Sequence, residues 1–214
     1  MSPVDFVPVA ERTGDIVKIG EWVLRAACSQ LAEWRRNGAA IYIAVNLAPL
    51  QLELELPNLA QIVASALADH GLPASALALE LTEAVLIGAG GLQSRNLQRL
   101  RELGVRISLD DFGTGYSSLS YLKRFPIDEL KIDRSFVKAL LEGDRQDAAL
   151  VQAILALAQG LGLRVVAEGV ETPGQRQLLK LLGCPLGQGY LFAPPRPATE
   201  LSLAPPAGAY TPAT

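Results

Sequence analysis

Apolar positions along this chain alternate between two spacings. Between residues 15 and 37, Ile16, Ile19, Val23, Ala27, Leu31 and Trp34 recur every third or fourth position, which predicts a helix. The β-branched run from Ile41 to Val45, closed by Asn46, predicts a short strand. The same alternation then predicts helices over 57–70, 92–103, 116–124, 146–161 and 173–182. It predicts strands over 77–82 (LALELT), 105–110 (VRISLD), 128–133 (DELKID), 163–168 (LRVVAE) and 187–192 (GQGYLF). Helices alternating with near-continuous apolar strands imply an α/β fold, with a parallel sheet covered by helices. From Pro194 onward the chain becomes rich in Pro and Ala. Residues 1–197 therefore read as one domain and 198–214 as a tail.

Composition narrows the choice of class. The 214 residues suffice for one sizeable domain, and a hydrophobic share of 50% with 19% charged residues belongs to a globular chain. A net charge of −3 offers no basic footprint for a nucleic-acid polymer. Cys28 and Cys184 are too few for a disulfide framework or a zinc site, so a reducing compartment is the simplest reading. The single histidine, His70, precedes Gly71 where a helical pattern stops, and reads as a helix C-terminal residue. That sets aside a histidine–metal site and a Ser-His-Asp triad. No apolar run reaches membrane-spanning length, and no signal peptide opens the chain. The expected location is cytoplasmic, or the cytoplasmic side of a membrane-bound parent protein.

The candidate chemistry lies where the strands finish. One ends in Asn46. The next carries Glu80, followed by Thr82 and Glu83, and the third ends in the adjacent pair Asp110 and Asp111. The fourth holds Lys131 and Asp133, the fifth ends in Glu168, and the sixth carries Gln188. In a parallel α/β fold these C-terminal ends face one common mouth. Each residue alone has a plain explanation: a turn, a helix cap, a snorkelling lysine, a solvated strand end. Their joint placement is harder to explain that way. Two carboxylates about 4 Å apart repel by about 4 kcal/mol at an effective dielectric of about 20. Several such pairs call for a counter-charge. Oxygen ligands without Cys or His suit hard divalent cations such as Mg²⁺ or Mn²⁺. A pair of such ions suits phosphoester hydrolysis.

With these residues the chain resembles the EAL domain, a family of cyclic di-GMP-specific phosphodiesterases built on a modified TIM (β/α)8 barrel. The stretches that carry the resemblance are FVPVAERTG (6–14), AVNLAP (44–49), LELTE (79–83), LDDFGTGYSSLSYLKRFPIDELKIDRSFV (109–137), VAEGVET (166–172) and GCPLGQGYLFAPP (183–195). The resemblance implies a role for each residue. Asn46, Glu80, Asp110 and Asp111 match metal ligands. Glu168 matches a metal-binding glutamate that also serves as general base. Lys131 matches the lysine that contacts the hydrolytic water, and Gln188 a glutamine lining the same site. Glu83 matches a glutamate that anchors the loop 112–119, which in the family also supports dimerisation. The implied reaction opens cyclic di-GMP to linear pGpG with two divalent ions, Mg²⁺ or Mn²⁺.

The resemblance also has a gap. The Glu-Ala-Leu motif that names the family supplies a further metal-ligating glutamate and, shortly after, a substrate-binding arginine. Neither is in this sequence, whose SPVDFVPVAERTG corresponds to the segment just after that motif. The expected architecture is an incomplete barrel of about six strands instead of eight. Two functions therefore stand. One is two-metal hydrolysis of cyclic di-GMP. The alternative is a catalytically impaired EAL domain that binds the nucleotide or another protein. The expected partners are cyclic di-GMP, a second copy of the complete protein, and further sensory or GGDEF-type domains.

Overall fold

A computed structural model describes residues 2–56, 58–87, 90–113, 122, 124–140, 145–201 and 203. Six strands form one sheet: β1 (Ile43–Asn46), β2 (Leu77–Thr82), β3 (Arg106–Phe112), β4 (Glu129–Ile132), β5 (Arg164–Ala167) and β6 (Leu186–Gly187). Each pairs in parallel with its neighbour in sequence, in the order β1-β2-β3-β4-β5-β6. No strand is skipped and the winding never reverses. The sheet therefore curls as part of a (β/α) barrel, with helices on its outer face. Among the described residues, β1 pairs only with β2, and β6 only with β5.

Strand alternation sorts the side chains. Leu77, Leu79, Leu81, Ile107, Leu109, Leu130, Ile132, Val165 and Ala167 are buried against the helical layer. The intervening residues, among them Glu80, Asp110 and Lys131, belong to the inner face. The outer layer comprises α2 (Ile16–Arg36), α3 (Leu59–Ala68), α5 (Gly91–Leu103), α7 (Arg145–Leu161) and α8 (Pro173–Leu181), with α1 (Pro3–Thr13) packed on α2. Local chemistry sets several boundaries. The Asn58 side chain accepts from the Gln61 amide while Gln61 Oε1 accepts from the Asn58 amide, a capping box that starts α3. Thr172 and Gln175 do the same for α8, with Pro173 at its first position.

The predicted strands and long helices are all found, shifted by a few residues, except at the C-terminal end. There the strand expected over 187–192 shrinks to Leu186–Gly187. Gly189 has φ 152°, and a Cβ there would lie 2.3 Å from the Val170 amide nitrogen. The chain therefore turns, held by Val170 N–H to the Gln188 carbonyl at 3.0 Å and Leu191 N–H to the Val170 carbonyl at 3.0 Å. Three helices were not expected: α1, α4 (Glu83–Ile87) and α6 (Arg134–Ala139). In α1, Pro8 reads as a helix breaker yet sits inside the helix. The other two are too short to show a helical period. Most of the helix expected over 116–124 and most of the 198–214 tail lie outside the described residues. His70 is exposed just past the end of α3, as expected. Among the described residues, no helix is long and apolar enough to cross a membrane.

Leu79 is 1% exposed at the centre of the apolar layer. Leu79→Ala is expected to lower stability by about 2–5 kcal/mol, read as a shift in the urea midpoint at unchanged slope.

Candidate active site

Two adjacent residues in a regular strand point to opposite faces, so Asp110 and Asp111 should not meet. A bulge resolves this. Leu109 is opposite Leu130, whereas Phe112 is opposite Ile132, so β3 carries one extra residue between the two pairings. Asp111 takes that place with φ 55°, a left-handed conformation that aspartate tolerates better than most residues. Its amide donates to Asp110 Oδ1 at 3.0 Å. Both carboxylates are thereby turned to one side. Asp110, Asp111 and Glu168 each place a carboxylate oxygen within 4.8 Å of the others.

Lys131 is the hub. Its Nζ lies 2.6 Å from Glu168 Oε1, 3.1 Å from Glu80 Oε1 and 3.3 Å from Asp110 Oδ1. An ammonium has three hydrogens, and three carboxylates surround this one. The side chains of Lys131, Glu80, Glu168 and Asp110 are 5%, 12%, 15% and 17% exposed, so solvent screens them weakly. Burial pushes the Lys131 pKa down, but the hydrogen bond to Glu168 and the charges of Glu80, Glu168 and Asp110 outweigh it and hold the pKa above the ordinary lysine value. Burial raises Glu80 and Glu168 above ordinary glutamates, with Lys131 pulling both down in part. Asp111 is raised as well, by burial and then by the charges of Asp110 and Asp133.

The other predicted residues fall around this centre. Gln188 Nε2 donates to Glu168 Oε1 at 2.6 Å. Asn46 is exposed at the end of β1, opposite Glu80 in register. Glu83 is 3% exposed at the start of α4, and its Oε2 accepts from the Gly113 amide at 3.2 Å. That contact holds the first residues of the loop 112–119, whose remainder lies outside the described residues.

Sequence reasoning noted Asp133 on its strand but gave it no role in the site. Asp133 caps α6, accepting from the Ser135 amide at 2.9 Å and from the Ser135 hydroxyl. Burial pushes its carboxyl up, but the Ser135 hydrogen bonds and Arg134 hold it below the usual range. Asp133 therefore stays ionised beside Asp111. The signal was its place two residues after Lys131 at a strand end. A second polar layer below the mouth was also missed. Glu129, 6% exposed, accepts from Ser108 Oγ at 2.9 Å and faces Tyr42 Oη at 3.5 Å and Arg164 Nε at 3.7 Å. Arg106 and Arg164 both lie over the Tyr42 ring.

Chemically, four carboxylates share one ammonium, which leaves an excess of negative charge in a half-buried site. Hard-oxygen donors in that arrangement fit a divalent cation such as Mg²⁺ or Mn²⁺. The donor chemistry does not separate the two metals. An apolar cavity of about 580 Å³ beside β6, lined by Val170, Leu179, Cys184, Pro185, Leu186 and Phe192, contains none of these carboxylates.

Known proteins share this arrangement of chain. The EAL domain family matches residues 1–195. The bifunctional diguanylate cyclase/cyclic di-GMP phosphodiesterase MucR of Pseudomonas aeruginosa is 49% identical over 94% of this chain. The cyclic di-GMP phosphodiesterase NbdA of the same organism is 46% identical, also over 94%. The chain spans only 29% and 25% of those two relatives. Among solved structures, the MucR phosphodiesterase in complex with c-di-GMP superposes with a TM-score of 0.87 at 49% identity, covering 93% of this chain and 80% of that one. The EAL enzyme Bd1971 in its cAMP- and cyclic-di-GMP-bound form gives 0.86 at 33% identity, covering 93% and 54%.

The electrostatics set the sign of a pH effect. Glu80 and Glu168 have folded-state pKa values above their unfolded ones, so ionising them weakens the fold as pH rises through those values. Lys131 offsets that cost, and its own contribution is complete below its unfolded pKa and lost only in strong alkali. Lys131→Met should therefore cost about 3–5 kcal/mol in chelator at neutral pH. The loss should shrink at about pH 5 and grow at about pH 8, read by urea unfolding at each pH.

Proposed function

This chain belongs to the EAL domain family, and on that premise we propose that it carries the site for hydrolysis of cyclic di-GMP to linear pGpG. The observation that carries the proposal is the Lys131 ammonium ringed by Glu80, Asp110 and Glu168, with Asp111 drawn into the same group. In this reading Asn46, Glu80, Asp110, Asp111 and Glu168 would hold two Mg²⁺ or Mn²⁺ ions. Bound there, such ions supply Lewis-acid activation of water and neutralise developing charge.

The chain's own residues then divide the remaining work. Glu168, whose pKa burial raises toward the range of a general base, accepts a proton from the attacking water. Gln188 Nε2 and Lys131 Nζ both hold the Oε1 oxygen of Glu168, which fixes the orientation of its carboxylate. Lys131 stays charged and orients the water or a phosphoryl oxygen. Water oxygen bonds to phosphorus, the bond to the 3′ oxygen breaks, and that oxygen takes up a proton. Glu83 steadies the loop that follows the aspartates.

One observation favours a second reading. Lys131 already contacts three of the carboxylates and offsets part of their charge without any metal, a state suited to binding a nucleotide without turnover. Relatives several times longer than this chain support sensory or GGDEF-type neighbours as a further part of the proposal, which also takes the whole protein to be dimeric and cytoplasmic.

Cyclic di-GMP incubated with this chain and Mn²⁺ should yield pGpG on chromatography. Asp110→Ala should lower both turnover and Mn²⁺ affinity by about 100-fold or more. Nucleotide binding by calorimetry with no pGpG formed would replace hydrolysis with the binding reading. Unaltered turnover in excess chelator would end the metal reading.

A further inference from the structure

Lys131 and Glu168, 2.6 Å apart in the site, belong to neighbouring strands that leave the sheet in different directions. β4 runs through Asp133 into α6, and β5 runs through residues 168–172 into α8. The strands' own ladder ends with Glu168 N–H donating to the Ile132 carbonyl at 3.0 Å. Beyond that bond, something must keep the two exits at a fixed separation.

Gln175 spans the gap. It is 5% exposed, and both polar atoms of its side chain are engaged. Oε1 accepts from the Glu171 amide at 2.8 Å and the Thr172 amide at 2.9 Å. Nε2 donates to the Val137 carbonyl in the last turn of α6 at 3.3 Å. One amide group therefore grips the loop after Glu168 with its oxygen and the helix after Lys131 with its nitrogen. A second contact acts on the same face of α6, three residues earlier. Gly169 has φ 65°, and a Cβ there would lie 2.5 Å from Arg134 Cβ. The loop thus touches α6 at Arg134 directly and at Val137 through Gln175.

A helix cap alone does not require this. The reciprocal bonds of a capping box need only an acceptor at the third helical position, where glutamate serves as well as glutamine. The donation to Val137 is the part that needs an amide. We propose that Gln175 is a positioning residue for the reactive pair, locking the end of β5 to α6 and so fixing Glu168 against Lys131. The proposal rests on the reading of Lys131 and Glu168 as the centre of the site.

Gln175→Glu separates the two duties. It keeps the acceptor for the Glu171 and Thr172 amides and replaces the donor to Val137 with an oxygen that repels that carbonyl. Two signals are read on the full chain without metal or nucleotide: hydrogen exchange of the Glu168 amide, and the NMR signal of the Lys131 ammonium. Gln175→Glu should speed the exchange by about tenfold and shift or broaden the ammonium signal, with the far-ultraviolet dichroism of the fold retained. Thr172→Ala, which weakens only the cap, should lower the melting temperature and leave both signals as in the parent. Mn²⁺ affinity, where the parent binds it, should fall by about 10–100-fold in Gln175→Glu, with kcat reduced more than KM. Unless both metal-free signals change in Gln175→Glu, the proposal fails and Gln175 is a cap. Because those signals need neither metal nor turnover, they judge the lock even if the hydrolytic reading is wrong.

Discussion

Everything at the mouth of this sheet depends on one buried ammonium. Glu80, Asp110 and Glu168 could not stay close and ionised in a half-buried place unless a positive charge stood among them. Lys131 supplies it, within hydrogen-bonding distance of all three. The arrangement is costly to assemble, because burial opposes the charged form of every member. It holds together because the members come from adjacent strands of a rigid ladder. β2 supplies Glu80, β3 Asp110, β4 Lys131, and the end of β5 Glu168. The same order that makes the sheet curl also makes the charges neighbours.

Much of this was legible in the sequence, and the reason is periodicity. β2 reads LALELT, with leucines alternating against Ala78, Glu80 and Thr82, and its bounds were recovered without error. Lys131, Glu168 and Gln188 come together in the structure because a parallel sheet gathers its C-terminal ends at one mouth. What the pattern could not show was the bulge at Asp111, since an extra residue in one strand is a property of the pairing. Without it, adjacent aspartates would face opposite sides. The last strand was overestimated because GQGYLF looks extended residue by residue. The turn there comes from Gly189 pressed against the backbone of Val170, a contact distant enough in sequence to leave no local mark. Gln175 was invisible for a related reason: as a helix-cap residue it looks ordinary, and its bond to Val137 crosses between two elements.

The inner face is polar to an unusual depth. Below the carboxylates, Glu129 gathers Ser108, Tyr42 and Arg164 into a second layer, and Arg106 covers the same tyrosine ring. The outer face at the same level is Leu77, Leu79, Ile107, Leu130 and Val165. The sheet thus separates hydrocarbon from charge across the thickness of a single strand. The helical layer provides cohesion, and the inner layer is left to chemistry.

That separation bears on how the chain finds its pairing. Lys131 and Glu129 lie two residues apart on a four-residue strand, so they share a face. Sliding β4 by one position while keeping its helices in place would drive an ammonium and a carboxylate into the leucine layer and expose Leu130 and Ile132. A misaligned sheet would then bear unpaired charge in hydrocarbon, a penalty comparable to the marginal stability of a domain. The reactive groups thereby act as a proofreading device for assembly, rejecting the wrong alignment before any substrate is met.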